Sequence, residues 1–130
     1  MSWIFLGVEV VEALHHQQIV RFGGSHGLRD AGLLESAVLR AEQRAHYDSR
    51  ATVAAVAASL GWGLIKNHAF VDGNKRIGLV SLVSFLKLNG YALPVATEEQ
   101  IAVVWKAAAG EITEDEFSAW VEHNVAPLDK

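Results

Sequence analysis

Two stretches without a single charged residue, 51–65 and 77–86, constrain the fold of this chain most. In the first, Val53, Val56, Ala57, Leu60, Leu64 and Ile65 run nearly all round a helical projection. A helix apolar on every side needs cover on every side, so it belongs in the middle of a fold. The spacing predicts helices over Thr52–Lys66 and Ile77–Leu88. Asn89-Gly90 stops the second, with Gly90 suited to the left-handed position after a helix end. Between the two lies the sharpest polar cluster of the chain: His68-Ala69-Phe70-Val71-Asp72-Gly73-Asn74-Lys75-Arg76. A polar cluster between two apolar helices reads as a loop held at the surface of a hydrophobic core. Side chains on such a scaffold are well placed for chemistry.

The remaining segments supply the cover. Val8, Val11, Leu14, Ile19 and Val20 approximate helical spacing, which predicts a helix from about Val8 to Arg21. Gly23-Gly24-Ser25-His26-Gly27 ends it as a plain loop. The phosphate-loop reading is disfavoured, because no Lys-Ser/Thr pair follows and no clear strand precedes. Asp30 is a plausible N-cap for a helix over Ala31–Ala45, with Leu33, Leu34, Ala37, Val38 and Ala41 as its stripe. His46-Tyr47-Asp48-Ser49 breaks that pattern and reads as a loop or small hairpin. Thr97…Gln100 and Thr113…Glu116 match the capping box and open the last two helices. Ile101, Val104, Trp105 and Ala108 are expected to face inward on the first, and Phe117, Trp120 and Val121 on the second. Trp3-Ile4-Phe5-Leu6 is either a short strand or the entry of the chain into the core. The expectation is an all-α domain spanning residues 1–130: a compact bundle of about six helices around a central apolar helix, with room for one small strand or hairpin.

Composition narrows the function classes. A chain of 130 residues buries ~65–70% of its unfolded surface without metal or disulfide help. It has no cysteine, hence no thiolate metal site and no sign of an oxidising compartment. The N-terminus lacks the basic region of a signal peptide, and the apolar runs are too short for membrane spans. A soluble, cytoplasmic protein without membrane contact is expected. A net charge of −4 argues against a general nucleic-acid surface, but leaves room for a small basic pocket.

The central cluster has that character. Asp72-Gly73-Asn74 is a turn-former directly before a helix, whose first N–H groups and dipole favour anions. Gly73 permits φ > 0 and close backbone approach to a ligand. Lys75 and Arg76 add two formal charges, and the whole suits phosphates. A carboxylate among these cations makes sense if Asp72 holds Mg²⁺, which takes one or two carboxylates plus substrate phosphates. His68 is a proton acceptor near neutral pH, and Phe70 reads as the anchor pinning the loop to the core. Each residue has a plainer role available: His68 as a basic residue at a helix end, Asp72 as an N-cap, Lys75 and Arg76 as solvated charges. The combination is far harder to explain as packing. Adjacent His15 and His16 point about 100° apart on a helix and cannot chelate one metal together. His26 and His46 sit in expected loops that could approach the site, and His123 near a helix C-terminus.

At this point the sequence resembles the Fic/Doc family, whose pattern is HxFx(D/E)(G/A)N(G/K)R at the start of a central helix. Residues His68 to Arg76 carry it in full. Gly27-Leu28-Arg29-Asp30, Leu34-Glu35-Ser36-Ala37, Trp62 to Asn67, Phe85 to Tyr91 and Gly110 to Thr113 look like the Doc (death-on-curing) branch. The resemblance implies a nucleotide-dependent transferase acting on a protein hydroxyl. His68 would deprotonate the target, Asp72 would bind Mg²⁺, Gly73, Asn74, Lys75 and Arg76 would bind ATP phosphates, and Phe70 would be the buried anchor.

Two chemistries exist in the family. Most Fic proteins transfer AMP, whereas Doc toxins transfer the terminal phosphate with the nucleotide reversed, and act on translation factor EF-Tu. Lys75, in place of the usual Gly, and Leu79, in place of a further Arg, favour the kinase. Gly73, where the Doc type member has Ala, favours the AMP transferase. Ala69 replaces a common Pro. A third reading keeps the fold as a non-catalytic binding module, against which the intact His68, Asp72 and Arg76 weigh. The nearest match to an inhibitory (S/T)xxxE(G/N) helix is Ser118…Glu122, followed by His123 instead of Gly or Asn. The resemblance therefore implies control from outside, by an antitoxin whose segment packs into a groove of this domain.

Overall fold

The computed structural model describes residues 2–128. Six helices follow in order: α1 Val8–Phe22, α2 Ala31–Tyr47, α3 Val53–Asn67, α4 Asn74–Leu88, α5 Thr97–Ala108 and α6 Glu114–Asn124. A two-residue strand after α4, β1 Tyr91–Ala92, pairs antiparallel with β2 Ala126–Pro127. Among the described residues no helix is long and apolar enough to cross a membrane.

Helix α3, uncharged up to Lys66 in its last turn, is the hub. It packs against α2, α4, α5 and α6, and twelve of its fifteen residues are buried. Its start is fixed by Thr52, whose side chain accepts the Ala55 N–H at 3.1 Å. It crosses α4 where glycines face each other. A methyl group at Gly78 would lie 3.1 Å from the carbonyl of Gly61 and 2.5 Å from the Ile65 side chain. Only a missing Cβ lets the two backbones come this close, which sets the short loop 68–73 rigidly between two packed helices.

The caps follow the residues in three of four places. Asp30 accepts the Leu33 N–H at 3.0 Å and opens α2. Thr113 and Glu116 form the reciprocal capping box of α6. Asn89 closes α4, with Gly90 beyond it at φ 90°. The capping box expected at Thr97 does not form. Thr97 is already helical, Ala96 is the cap, and no side chain closes that end.

Other expectations need correction. Of the two readings of residues 3–6, the strand does not form and the entry into the core holds. These residues are held by the Asn89 amide, which bonds both N–H and C=O of Ile4 at 2.8 and 2.9 Å. His46 and Tyr47 are helical, because nothing stops α2 until its backbone turns extended at Asp48. The helix after the polar cluster begins at Asn74 rather than Ile77. Trp105 is 57% and Ile101 46% exposed, while Val104 and Ala107 are buried. The inward face of α5 is therefore rotated from the one expected, for a reason seen at the site.

Candidate active site

The loop between α3 and α4 is built by opposing constraints. At the end of α3, His68 adopts the left-handed conformation (φ 51°, ψ 49°), the one non-glycine with positive φ among the described residues. Such backbone costs of order 1–3 kcal/mol and persists only where its surroundings impose it. Here they do. Arg29 donates through Nε to the His68 carbonyl at 2.8 Å and through Nη2 to the Asn67 carbonyl at 3.3 Å. The Arg29 and Asp30 N–H groups both donate to the Ala69 carbonyl, at 2.7 and 3.0 Å, and Val71 N–H donates to Gly27 at 3.0 Å. Residues 27–30 thus run alongside 69–71 as a miniature antiparallel clamp centred on Leu28 and Phe70. The two segments meet only in the folded chain.

Phe70 is 3% exposed and packs into the core beneath the loop. Its ring stacks on His15, with centroids 3.8 Å apart and planes 12° from parallel. His15 is itself 3% exposed, and its Nε2–H donates to the Asp72 carbonyl at 2.7 Å. Asn74 is turned inward as well. Its Oδ1 accepts the Phe70 N–H and its Nδ2 donates to the Phe70 carbonyl, both at 3.0 Å. Both polar atoms of its amide are thereby bonded to the loop. Its backbone N–H, with those of Lys75 and Arg76, begins α4 without an intrahelical acceptor. The first such bond of the helix is Ile77 N–H to the Gly73 carbonyl.

The Gly-rich loop proves to be more than a connection. Ser25 N–H donates to Asp72 Oδ2 at 3.0 Å, and Gly73 N–H to Oδ1 at 2.8 Å. The bond from Ser25 first, then that from Gly73, holds the Asp72 carboxyl below the ordinary aspartate range; partial desolvation opposes them, and Arg76 and His15 add to them more weakly. Gly24 (φ 117°) makes this approach feasible: a methyl group there would lie 2.7 Å from Asp72 Oδ2 and 2.9 Å from an Arg76 guanidinium nitrogen.

These side chains border one cavity of about 480 Å³, lined by His68, Val71, Asp72, Gly73, Asn74, Lys75, Arg76, Leu79 and, from α5, Ile101, Val104 and Trp105. Every polar residue singled out in the motif is at this cavity; Phe70 lies behind it. Arg76 and Lys75, adjacent in sequence, part company. Arg76 reaches back toward α1, with Nη1 3.4 Å from the Gln18 carbonyl. Lys75 reaches toward α5, where Nζ sits 3.9 Å from the centre of the Trp105 ring. The apolar wall on α5 explains the rotated face of that helix. The exposure of Ile101 and Trp105 serves the cavity rather than the core.

His46 is not at this cavity; it borders a groove on α2 with Trp3 and Phe5. His26 lies beside His16, ring centres 4.8 Å apart, and does not line this cavity. His123 bonds within its own helix, Nδ1 to the Ala119 carbonyl at 2.9 Å. Sequence reasoning missed His15, Ser25, Arg29, Ile101 and Trp105. Two of them had a signal: His15, as a histidine in register with the apolar stripe Val11, His15, Ile19, and Arg29, within the stretch Gly27-Leu28-Arg29-Asp30 that carries part of the family resemblance.

Among the described residues no three histidine or acidic side chains converge as metal ligands. The set that is present fits Mg²⁺ in its other mode, in which one carboxylate binds and water and phosphate oxygens complete the shell. Asp72 is exposed, ionised at neutral pH, and each of its oxygens receives a single protein hydrogen bond, so acceptor capacity remains on both.

Similarity to known proteins gives the family of the chain. The family model described as Fic/DOC family matches residues 5–86, which include α1 to α3, the whole loop and all but the last two residues of α4. The chain is 33% identical over 105 residues to the protein kinase doc of Escherichia phage P1, across 81% of this chain and 82% of that protein. It is 40% identical over 75 residues to the toxin Doc of Mycolicibacterium smegmatis, across 57% and 58%. On the family match and the phage relative together, this chain belongs to the Fic/DOC family.

Proposed function

We propose that this protein is the toxin of a toxin–antitoxin pair, an enzyme that moves the terminal phosphate of ATP to a Ser or Thr hydroxyl of a protein target. The observation that carries this reading is the convergence of His68, Asp72, Lys75, Arg76 and the free N–H groups opening α4 on one cavity. A proton acceptor facing an anion seat suits phosphoryl transfer, where catalysis is chiefly positioning and charge stabilisation. The names of the two relatives, a kinase and a toxin, support it further.

In this mechanism the imidazole of His68 takes the proton of the target hydroxyl. The hydroxyl oxygen forms a bond to the γ-phosphorus, the bond from that phosphorus to the β-bridging oxygen breaks, and its electron pair leaves with ADP. The left-handed turn braced by Arg29 holds His68 at the cavity edge. The backbone N–H groups of Asn74, Lys75 and Arg76, with the two cations, receive the phosphates; Asn74 contributes through its backbone while its amide keeps Phe70 in place. Mg²⁺, when bound, neutralises phosphate charge; Asp72 is the residue that would hold it. Leu79 borders the cavity where AMP-transferring relatives carry an additional Arg, which supports the kinase over AMP transfer. Gly73 is the residue that speaks for AMP transfer.

The candidate inhibitory pair does not reach the site. Ser118 and Glu122 border a depression with Arg44 and Asp48, away from His68. This supports inhibition by a separate antitoxin chain. EF-Tu is the first target to test. Purified protein with Mg²⁺ and EF-Tu, given ATP labelled at either the γ or the α phosphate, is expected to transfer label from γ alone. Transfer from α alone would make it an AMP transferase. A His68→Ala variant is expected to lose ~10²–10⁴ in rate, and wild-type rate in that variant would remove the general-base role.

A further inference from the structure

We infer that Trp105 is a positioning residue for Lys75, holding its ammonium on the α5 side of the cavity so that the two motif cations grip a phosphate chain from opposite sides. The inference rests on the nucleotide reading of the cavity and deepens it.

Trp105 is more than half exposed, and it lines the cavity from α5 together with Ile101 and Val104. Its ring lies under Lys75 Nζ. Among the described residues the only ion pairs are Arg40–Glu114 and Arg44–Asp48, so no carboxylate competes for Lys75. A lysine stem of four carbons otherwise samples many rotamers. The indole face holds the ammonium by its negative quadrupole and still leaves N–H donors free to turn toward an anion. Arg76 is drawn the other way, toward Gln18 and the Gly loop. Trp105 therefore supplies from α5 what the α4 N-terminus cannot supply itself: a second cation held apart from the first, across the anion seat.

The test is a double-mutant cycle on binding, with inorganic triphosphate and non-hydrolysable ATP as probes. Trp105 is exposed, so its replacement leaves the core intact, and Trp105→Phe keeps an aromatic face as a conservative control. Trp105→Leu is expected to weaken both probes about two- to fivefold, the equilibrium factor of an exposed cation–π contact. Trp105→Phe restores most of this, and in a Lys75→Ala background Trp105→Leu has no further effect. The ring-current shift of the Lys75 side-chain protons in the free protein is expected to vanish in Trp105→Leu. Additive effects of Trp105→Leu and Lys75→Ala, or unshifted Lys75 protons in the wild type, would overturn the positioning role. Binding of neither probe by the wild type would instead overturn the nucleotide reading itself.

Discussion

The ring of His15 lies flat against the ring of Phe70, 3.8 Å from it, while its Nε2–H holds the carbonyl of Asp72. One buried side chain of α1 thus grips the loop of α3–α4 at two points, one apolar and one polar. His15→Phe keeps the stacking surface but leaves the Asp72 carbonyl without its donor, and is expected to cost about 1–3 kcal/mol. His15→Ala removes both and is expected to cost more. Urea midpoints of the three proteins give the order directly, and a His15→Phe protein as stable as wild type would show that the bond to Asp72 contributes nothing.

Asn74 fills two backbone vacancies at once in a position only 8% exposed. Asn74→Ala leaves both the N–H and the C=O of Phe70 unpaired, and about 2–4 kcal/mol of stability is expected to go. Asn74→Asp keeps an acceptor for the N–H and should fall between. Hydrogen exchange at the Phe70 amide reports the local effect. Unaltered protection of that amide in Asn74→Ala would contradict it.

Gly24→Ala and Gly23→Ala make a matched pair. Both positions have positive φ, and each substitution is expected to cost about 1–3 kcal/mol through backbone strain. Only at Gly24 does the new methyl meet Asp72 and Arg76; at Gly23 it meets nothing within 4 Å. The Asp72 carboxyl is therefore expected to titrate at higher pH in Gly24→Ala, as its bond from Ser25 is lost, and to stay unchanged in Gly23→Ala. Carbon-detected NMR titration of the carboxyl tells them apart.

Asp72 also sets an acid limb. Its pKa in the folded chain is below the ordinary value because Ser25 and Gly73 donate to the charged form. The stabilisation this brings is fully present above the ordinary range near ~3.9, and is lost as pH falls through the lowered folded value. Asp72→Asn is expected to be less stable than wild type at neutral pH, with the gap closing only in strong acid. A gap independent of pH would mean that the carboxylate charge plays no part.

Much of this molecule was legible because the signals were local. The uncharged run 51–65 announced the burial of α3, Asp30, Thr52 and Thr113 sit where their helices begin, and the nine-residue motif placed His68, Asp72, Lys75 and Arg76 at one turn. Periodicity failed at α5 for a physical reason. Ile101 and Trp105 are apolar and one helical turn apart, and a wall of a cavity has the same composition as a face of a core. At Thr97 the capping-box pattern was present but the chain entered the helix one residue early, so the hydroxyl had no orphan donor to meet.

The sequence by itself determined which elements form, where the polar loop lies between them, and which chemical groups it carries, because hydrophobic period, capping and turn chemistry act over a few residues. Tertiary structure alone decided how those groups are held and aimed. His15, Ser25 and Arg29 are separated from the loop by some forty to sixty positions along the chain, as in the bonds of Ser25 to Asp72 and His15 to Asp72. Their contribution depends on α1 and the Gly loop being packed against the α3–α4 junction, and on glycines at 61 and 78 that let that junction close. Lys75 and Trp105 meet for the same reason, across a cavity that exists only when α4 and α5 are both in place.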